Sequence, residues 1–257
     1  MKNKQFEEAI LAYEQCYFEL IDNDSDSLSA DIKAWQKNEC LLKKVYGQKA
    51  AGQFDEAVKT VQRFDFNNLS DTSQFLFRYE AVVCTFLADM YEDCYTNIQQ
   101  LKYFVKDSTL TQKALLWEIL ALTKLARYDE AKPLLVEYAQ QHHLIVNVDD
   151  VFAFAQKPRF RSVKKAETLA TFIPGAGMLY SGNTAEGVIS LVFQAATLGF
   201  GIYSVVDGYY FSGFFTGFGL FQAFYFGGVR RSGVLVQQKN EQLKQRYYQQ
   251  VKNALVK

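Results

Sequence analysis

The chain has 257 residues, enough for one or two domains, and its 28 Lys/Arg against 28 Asp/Glu leave no net formal charge. Three prolines argue against many short strands, and four cysteines (Cys16, Cys40, Cys84, Cys94) without CxxC or metal-ligand spacing read as buried free thiols rather than a disulfide framework. The charge balance hides a split: residues 1–157 hold 17 Lys/Arg against 24 Asp/Glu, and residues 158–257 hold 11 against 4. An acidic part joined to a basic part facing anionic lipid or another acidic surface fits that asymmetry.

The opening Met1-Lys2-Asn3-Lys4-Gln5-Phe6-Glu7-Glu8 lacks the apolar core of a secretory leader. Residues 1–144 then carry an internal repeat. An aromatic–acidic–acidic–small quartet recurs as Phe54-Asp55-Glu56-Ala57, Tyr91-Glu92-Asp93-Cys94 and Tyr128-Asp129-Glu130-Ala131, at an interval of 37 residues both times. Phe6-Glu7-Glu8-Ala9 is a fourth copy, set 48 residues ahead of Phe54 by the polar stretch Asp22 to Ser29. Each quartet suits a helix start: the acid pair meets the positive end of the helix dipole, and the small residue admits a neighbouring helix. Apolar residues at helical spacing follow each quartet and also precede it, so every repeat holds two helices.

Gly52, Phe54 and Ala57, with Tyr91 and Cys94, and Tyr128 and Ala131, carry a resemblance to the tetratricopeptide repeat family. The chain departs from that family in lacking its first-helix Trp in register (Trp117 falls two residues late), a clean Leu-Gly pair and repeat-ending prolines. Three degenerate repeats result, preceded by a lone second-type helix at residues 3–21 whose missing partner points to an upstream segment with room for a leader. The resemblance implies contact with a protein partner through the concave face of the stack, the plainer reading being a helical spacer.

Residues 145–165 form a basic joint in which Lys157, Arg159, Arg161, Lys164 and Lys165 cluster ahead of apolar sequence, as at the cytoplasmic margin of a membrane segment. Residues 166–184 open with a helical stretch, Ala166 to Ile173, about half a bilayer long, which reads as an interfacial or re-entrant segment. Pro174 and Gly175 end it, and Pro174-Gly175-x-Gly177-x-x-Tyr180-x-Gly182 reads as a turn whose glycines permit positive φ and close backbone approach. Neither a Walker spacing nor GxGxxG after a strand is present, which argues against a nucleotide loop.

Residues 185–229 read as a transmembrane helical hairpin. Two apolar runs, Gly187 to Val206 and Gly208 to Gly228, carry Asp207 as the only charge within or between them. Ser212, Thr216, Gly219, Ala223 and Gly227 form a small-residue stripe expected to pack helix on helix, with Gly213 and Gly217 on an adjoining line and Ala195 and Gly199 as the counterpart in the first run. Gln194 and Gln222 lie equally far from Gly208, which predicts a hydrogen bond between them. Lys164/Lys165 and Arg230/Arg231 flank the hairpin and place both termini on the cytoplasmic side of a bacterial membrane, with periplasmic repeats if an upstream leader is missing. Residues 230–257 read as a basic amphipathic tail, with Leu235, Leu243, Tyr247, Val251 and Leu255 on one line, that binds anionic lipid or docks back on the acidic repeats.

The Pro174–Gly182 motif and the run after it resemble two-helix membrane modules of the TM2 family over about 60 residues. The whole layout resembles Bacteroidetes-type bacterial envelope proteins that join tetratricopeptide-like repeats to such a hairpin, a resemblance that implies location and architecture and no activity. His142 and His143 are the only histidines, and adjacent helix positions suit one metal poorly. With no nucleophile elbow, HExxH or carboxylate pair, the sequence points away from an enzyme, a metal, a cofactor or a nucleic-acid partner. An all-α chain results: a membrane-anchored adaptor that recruits a protein partner, or alternatively a hairpin that homo-oligomerises within a small-molecule, lipid or ion transport system.

Overall fold

The computed structural model describes residues 2–22, 29–156 and 159–255, and every regular element among them is helical. Lys157 of the basic joint, Lys257 of the tail and residues 23–28 of the polar stretch lie outside the described residues. Two compact units divide the chain: Met1–Ala155 with Tyr248–Lys257, and Gln156–Tyr247.

The first unit runs through α1 (Lys2–Asp22), α2 (Ala30–Ala50), α3 (Phe54–Val61), α4 (Asp71–Leu87) and α5 (Tyr91–Phe104). The short α6 (Ser108–Thr111) and a 3-10 turn lead into α7 (Leu115–Lys124), followed by α8 (Tyr128–Gln141), α9 (Val148–Val151) and α10 (Ala153–Gln156). Thus α3, α5 and α8 each begin on a quartet aromatic. Their acid pairs are exposed in the first turn, while Ala57, Cys94 and Ala131 are each 0% exposed against a neighbouring helix. Phe6 differs: α1 already runs from Lys2, so that quartet lies inside a helix rather than at its start.

The same turn precedes each of those three aromatics. Gly52, Asp89 and Ala126 adopt left-handed φ of 73°, 58° and 59°. The next residue's N–H (Gln53, Met90, Arg127) then donates to the carbonyl five residues back (Gln48, Thr85, Leu122), at 2.9 Å in every case. This bond satisfies a helix-end carbonyl that would otherwise be orphaned. For a residue with a Cβ the left-handed backbone costs about 1–2 kcal/mol, so Ala126 holds a place where glycine would be easier.

Leu41, Val45, Ala57, Val61, Phe64, Phe77 and Cys84 form one buried cluster, with Trp35 and Leu76 packed on it. Val82, Cys94, Ile98, Leu101, Ala114 and Ala121 form the next, with Tyr79, Phe86 and Trp117 packed on it. The Trp117 indole N–H donates to the Tyr79 hydroxyl at 2.8 Å, which satisfies the one polar atom that its burial strands. Cys16 and Cys40 correct the expectation of four free thiols: they form a disulfide, with Cα atoms 6.2 Å apart. Their sequence separation of 24 gives no spacing signal, because it is the packing of α1 on α2 that brings them together. Cys84 and Cys94 remain free and buried, and burial pushes both thiols up to about 12.

This unit also exceeds the expected 1–144. Phe152 is 2% exposed, Phe154 stacks edge-on against Tyr128 with ring centroids 5.0 Å apart, and Val251, Ala254 and Leu255 are buried. Lys124 Nζ lies 4.2 Å from the Tyr248 ring centroid. The far end of the tail's apolar line is therefore buried in protein, and does not supply the lipid-facing surface that the tail alone suggested.

In the second unit α11 (Val163–Phe172) takes in most of the expected interfacial stretch, capped by Ser162 Oγ accepting from Lys165 N at 3.2 Å. Pro174 to Gly182 is more than a turn: α12 (Ala176–Ser181) sits between Gly175 (φ 79°) and Gly182 (φ 88°). Next come α13 (Thr184–Val206), a bend at Gly208 (φ 84°), α14 (Tyr210–Ser212), a π turn at Gly213–Phe218 and α15 (Gly219–Leu255). The expected break between hairpin and tail at 229/230 is absent, since α15 is one helix of 37 residues, about 55 Å long. Among the described residues one helix, α13, is long and apolar enough to cross a membrane, the second run being divided by the π turn.

In cells quenched with acid and alkylated, we expect Cys16 and Cys40 to resist labelling until reduction, and Cys84 and Cys94 to label once the chain is denatured. Labelling of all four without reductant would contradict the disulfide.

Candidate functional site

Side chains of α3, α4 and α5 line a cavity of about 280 Å³, among them Val58, Gln62, Arg78, Thr85, Asn97 and Gln100. Three charged side chains are buried among the described residues: Arg78, Glu80 and Glu118. Glu80 pairs with Lys49, and Glu118 pairs with Lys102 and accepts from Gln99 Nε2 at 3.1 Å. Arg78 has no such partner. Its guanidinium carbon lies 4.0 Å from the Phe66 ring centroid and 4.2 Å from that of Phe104, and its Nε makes no hydrogen bond. Burial pushes its pKa down, and no ion pair offsets the effect. Two aromatic faces return part of the lost hydration, yet the guanidinium donors still call for an acceptor. At 8% exposed and lining an open cavity with amides and the exposed Asp93 carboxylate at its rim, Arg78 can receive a carboxylate or carbonyl from outside. The sequence held one signal for it, an arginine one turn from Phe75, Ala81 and Val82 on α4.

The two histidines and the acids near them do not gather. His142 stacks on Tyr138 at 4.3 Å, His143 has a left-handed φ of 53°, and Asp149 is paired with Lys132 at 2.7 Å.

In the second unit the Pro174–Gly182 motif is a knot of backbone contacts. A Cβ on Gly175 would overlap the Gly187 carbonyl, and one on Gly177 would overlap the Ala166 carbonyl and Ser232. Beside Gly182 lies the Arg161 guanidinium, which donates to the Tyr180 carbonyl. Asn240 in turn holds the Arg161 backbone, accepting from its N–H at 2.9 Å and donating to its carbonyl at 2.8 Å. The expected close backbone approach is present at these glycines, and its partners lie on α11, α13 and α15.

The helix seam departs from expectation in part, since the Gly213/Gly217 line packs on α13 and the stripe beside it does not. Gly187, Ser190, Gln194, Thr197, Gly201 and Ser204 follow one another at steps of three and four, which places them along one line of α13. A Cβ on Gly217 would overlap Gly201 Cα, and one on Gly213 would come within 2.7 Å of Val205 Cγ2. At Gly228 a Cβ would sit 3.2 Å from Gln194 Nε2 and 3.3 Å from Ser190 Oγ. The expected stripe points elsewhere: Ser212 is half-buried, and Thr216, Gly219, Ala223 and Gly227 are exposed, as are Ala195 and Gly199. Nothing lies within 4 Å of a Cβ built on Gly199 or Gly227.

Gln194 does not meet Gln222. Its Nε2 donates to Ser190 Oγ at 2.9 Å, its Oε1 has no partner, and Gln222 is exposed. Equal distance from the bend fixes depth but not direction. Gly217 and Gly228, eleven residues apart, fall on one line, whereas Gln222 is turned about 140° away from it.

Gly217→Ala should therefore cost about 1–3 kcal/mol of unfolding free energy in detergent through overpacking, and Gly199→Ala should be neutral or stabilising by helix propensity. Equal effects of the two would contradict this seam. No protein-family model, no curated protein and no solved structure matches the chain.

Proposed function

We propose that the chain is a membrane-anchored adaptor. In this reading residues 1–155 are a tetratricopeptide-like solenoid that recruits a protein partner, and residues 184–229 are a hairpin that holds it at a bacterial membrane. The observation that carries the recruiting half is Arg78, a buried cation without an ion-pair partner, lining an open cavity whose rim also carries the exposed Asp93. A partner segment bearing Asp, Glu or a terminal carboxylate would answer its charge, while Gln62, Asn97 and Gln100 would bind main-chain groups.

The anchoring half is supported by where α13 puts its apolar surface. Its 23 residues span about 34 Å, against a hydrocarbon core of about 30 Å. Val188, Ile189, Val192, Phe193 and Ile202 are each at least half exposed, and only 17% of its most apolar window is buried. A water-soluble protein would bury such a helix. The polar seam of Ser190, Gln194 and Thr197 instead points inward, as intramembrane polar groups do. Tyr203, Tyr209 and Tyr210, all exposed around the bend, suit an interfacial aromatic belt, and residues 209–229 would return across the bilayer.

The charged flanks Lys164/Lys165 and Arg230/Arg231 favour the cytoplasmic side for the first unit. The Cys16–Cys40 disulfide favours an oxidising compartment, and the redox state of that pair in cells decides between the two sides. A reduced pair in quenched cells would return the unit to the cytoplasmic side.

Display of random peptides against the full chain in detergent tests the recruiting half. Acidic peptides should be enriched, and Arg78→Gln should weaken them by about tenfold to a hundredfold, the worth of a charge-assisted pair of hydrogen bonds. Asn97→Ala with Gln100→Ala, at the rim, should weaken them less and leave thermal unfolding unchanged. Enrichment of peptides without acids, or binding unaffected by all three substitutions, would sink the assignment.

A further inference from the structure

A cleft of about 370 Å³ lies between α13 and α15, lined by Met178, Ile189, Phe193, Ala223, Phe224 and Gly227. Its origin is the small-residue stripe. Gly228 is pressed onto Ser190 and Gln194, while Gly227 and Ala223, one face further round, contribute almost no side chain and leave the space open. Phe193 and Phe224, with ring centroids 5.5 Å apart, close one side. At one end the lining turns polar: Glu186 and Arg231 form a two-point ion pair, Arg231 Nε to Glu186 Oε2 at 2.8 Å and Arg231 Nη2 to Glu186 Oε1 at 2.9 Å. Both side chains remain partly open to solvent, and Asn183 Nδ2 steadies Glu186 at 2.8 Å.

We infer that this cleft holds an acyl chain of a glycerophospholipid whose headgroup carries a phosphate and a primary ammonium, as in phosphatidylethanolamine. The inference rests on the membrane reading of α13. An apolar slot opening among outward-facing apolar side chains is filled by hydrocarbon, because water gains no hydrogen bonds there. The pair at its end offers a cation and an anion side by side, which matches a zwitterionic headgroup: phosphate to Arg231, ammonium to Glu186. A headgroup carrying only negative charge meets Glu186 as a repulsion, and a choline headgroup has no N–H to donate to it.

The test compares lipids retained by the purified full chain in mild detergent, by native mass spectrometry, with the lipids of the membrane it came from. Phosphatidylethanolamine should be retained at roughly threefold to fivefold over its bulk share, the selectivity that one partly exposed ion pair supports. Gly227→Phe fills the cleft from a position where a Cβ meets no protein atom within 4 Å, so it should abolish retention and leave thermal unfolding unchanged. Glu186→Gln should keep an acyl chain bound and erase the headgroup preference. Retained lipid matching the bulk membrane, retention unaffected by Gly227→Phe, detergent alone in the cleft, or a lipid-free dimer that Gly227→Phe separates would each overturn the inference. A chain recovered from cells without detergent or alkali would defeat the membrane reading itself, whereas a membrane-extracted chain without selective lipid defeats only the cleft.

Discussion

Six of the helix connections among the described residues depend on one backbone device, a single residue in the left-handed conformation that ends a helix and lets the next begin. Gly52, Asp89, Ala126, His143, Gly182 and Gly208 all have positive φ. In every case the following N–H donates to a carbonyl five residues back, from Gln53, Met90, Arg127, Leu144, Asn183 and Tyr209 in turn. Only three of the six are glycines, so the fold accepts an unfavourable backbone at the other three in order to satisfy buried helix-end carbonyls. The quartets follow from this constraint. Once the turn is closed, an aromatic two residues on starts the next helix, and a small residue three further meets its neighbour.

How much of this was legible depended on whether the signal was local. Helix starts at Phe54, Tyr91 and Tyr128 could be read because acid pairs, small residues and aromatics act within one turn. The direction a side chain faces in a helix pair is not local. Gln222 has the right depth and the wrong azimuth, and the stripe from Ser212 to Gly227 lies beside the true seam rather than on it. The seam itself, Gly187 to Ser204 in steps of three and four, was present in the sequence but hidden by a second set of small residues, Ala195 and Gly199. Cys16 and Cys40 were illegible for the same reason, since a pairing between two helices leaves no spacing rule in either. The tail showed its apolar line, yet periodicity alone does not say what covers it.

The two candidate sites use opposite physics. Around Arg78 a charge is held out of water between two rings without an ion-pair partner, in a cavity whose lining also includes Asp93. In the second unit glycines remove side chains until backbone meets backbone, at Gly175 and Gly187 and again at Gly201 and Gly217. Contacts of that kind depend on shape and need no hydrophobic driving force, which suits helices surrounded by hydrocarbon. Gln194 sits on that seam with its Nε2 bonded and its Oε1 unanswered, a polar point inside an apolar pair of helices.

The most direct test of an adaptor at a membrane is site-specific photo-crosslinking in intact membranes from Asn97 and Gln100 at the groove, with exposed Glu137 as the control position. An adaptor predicts one protein adduct from the groove positions, none from Glu137, and loss of the adduct in Arg78→Gln while the chain stays in the membrane fraction. Adducts formed equally from Glu137, or unchanged without Arg78, would contradict it.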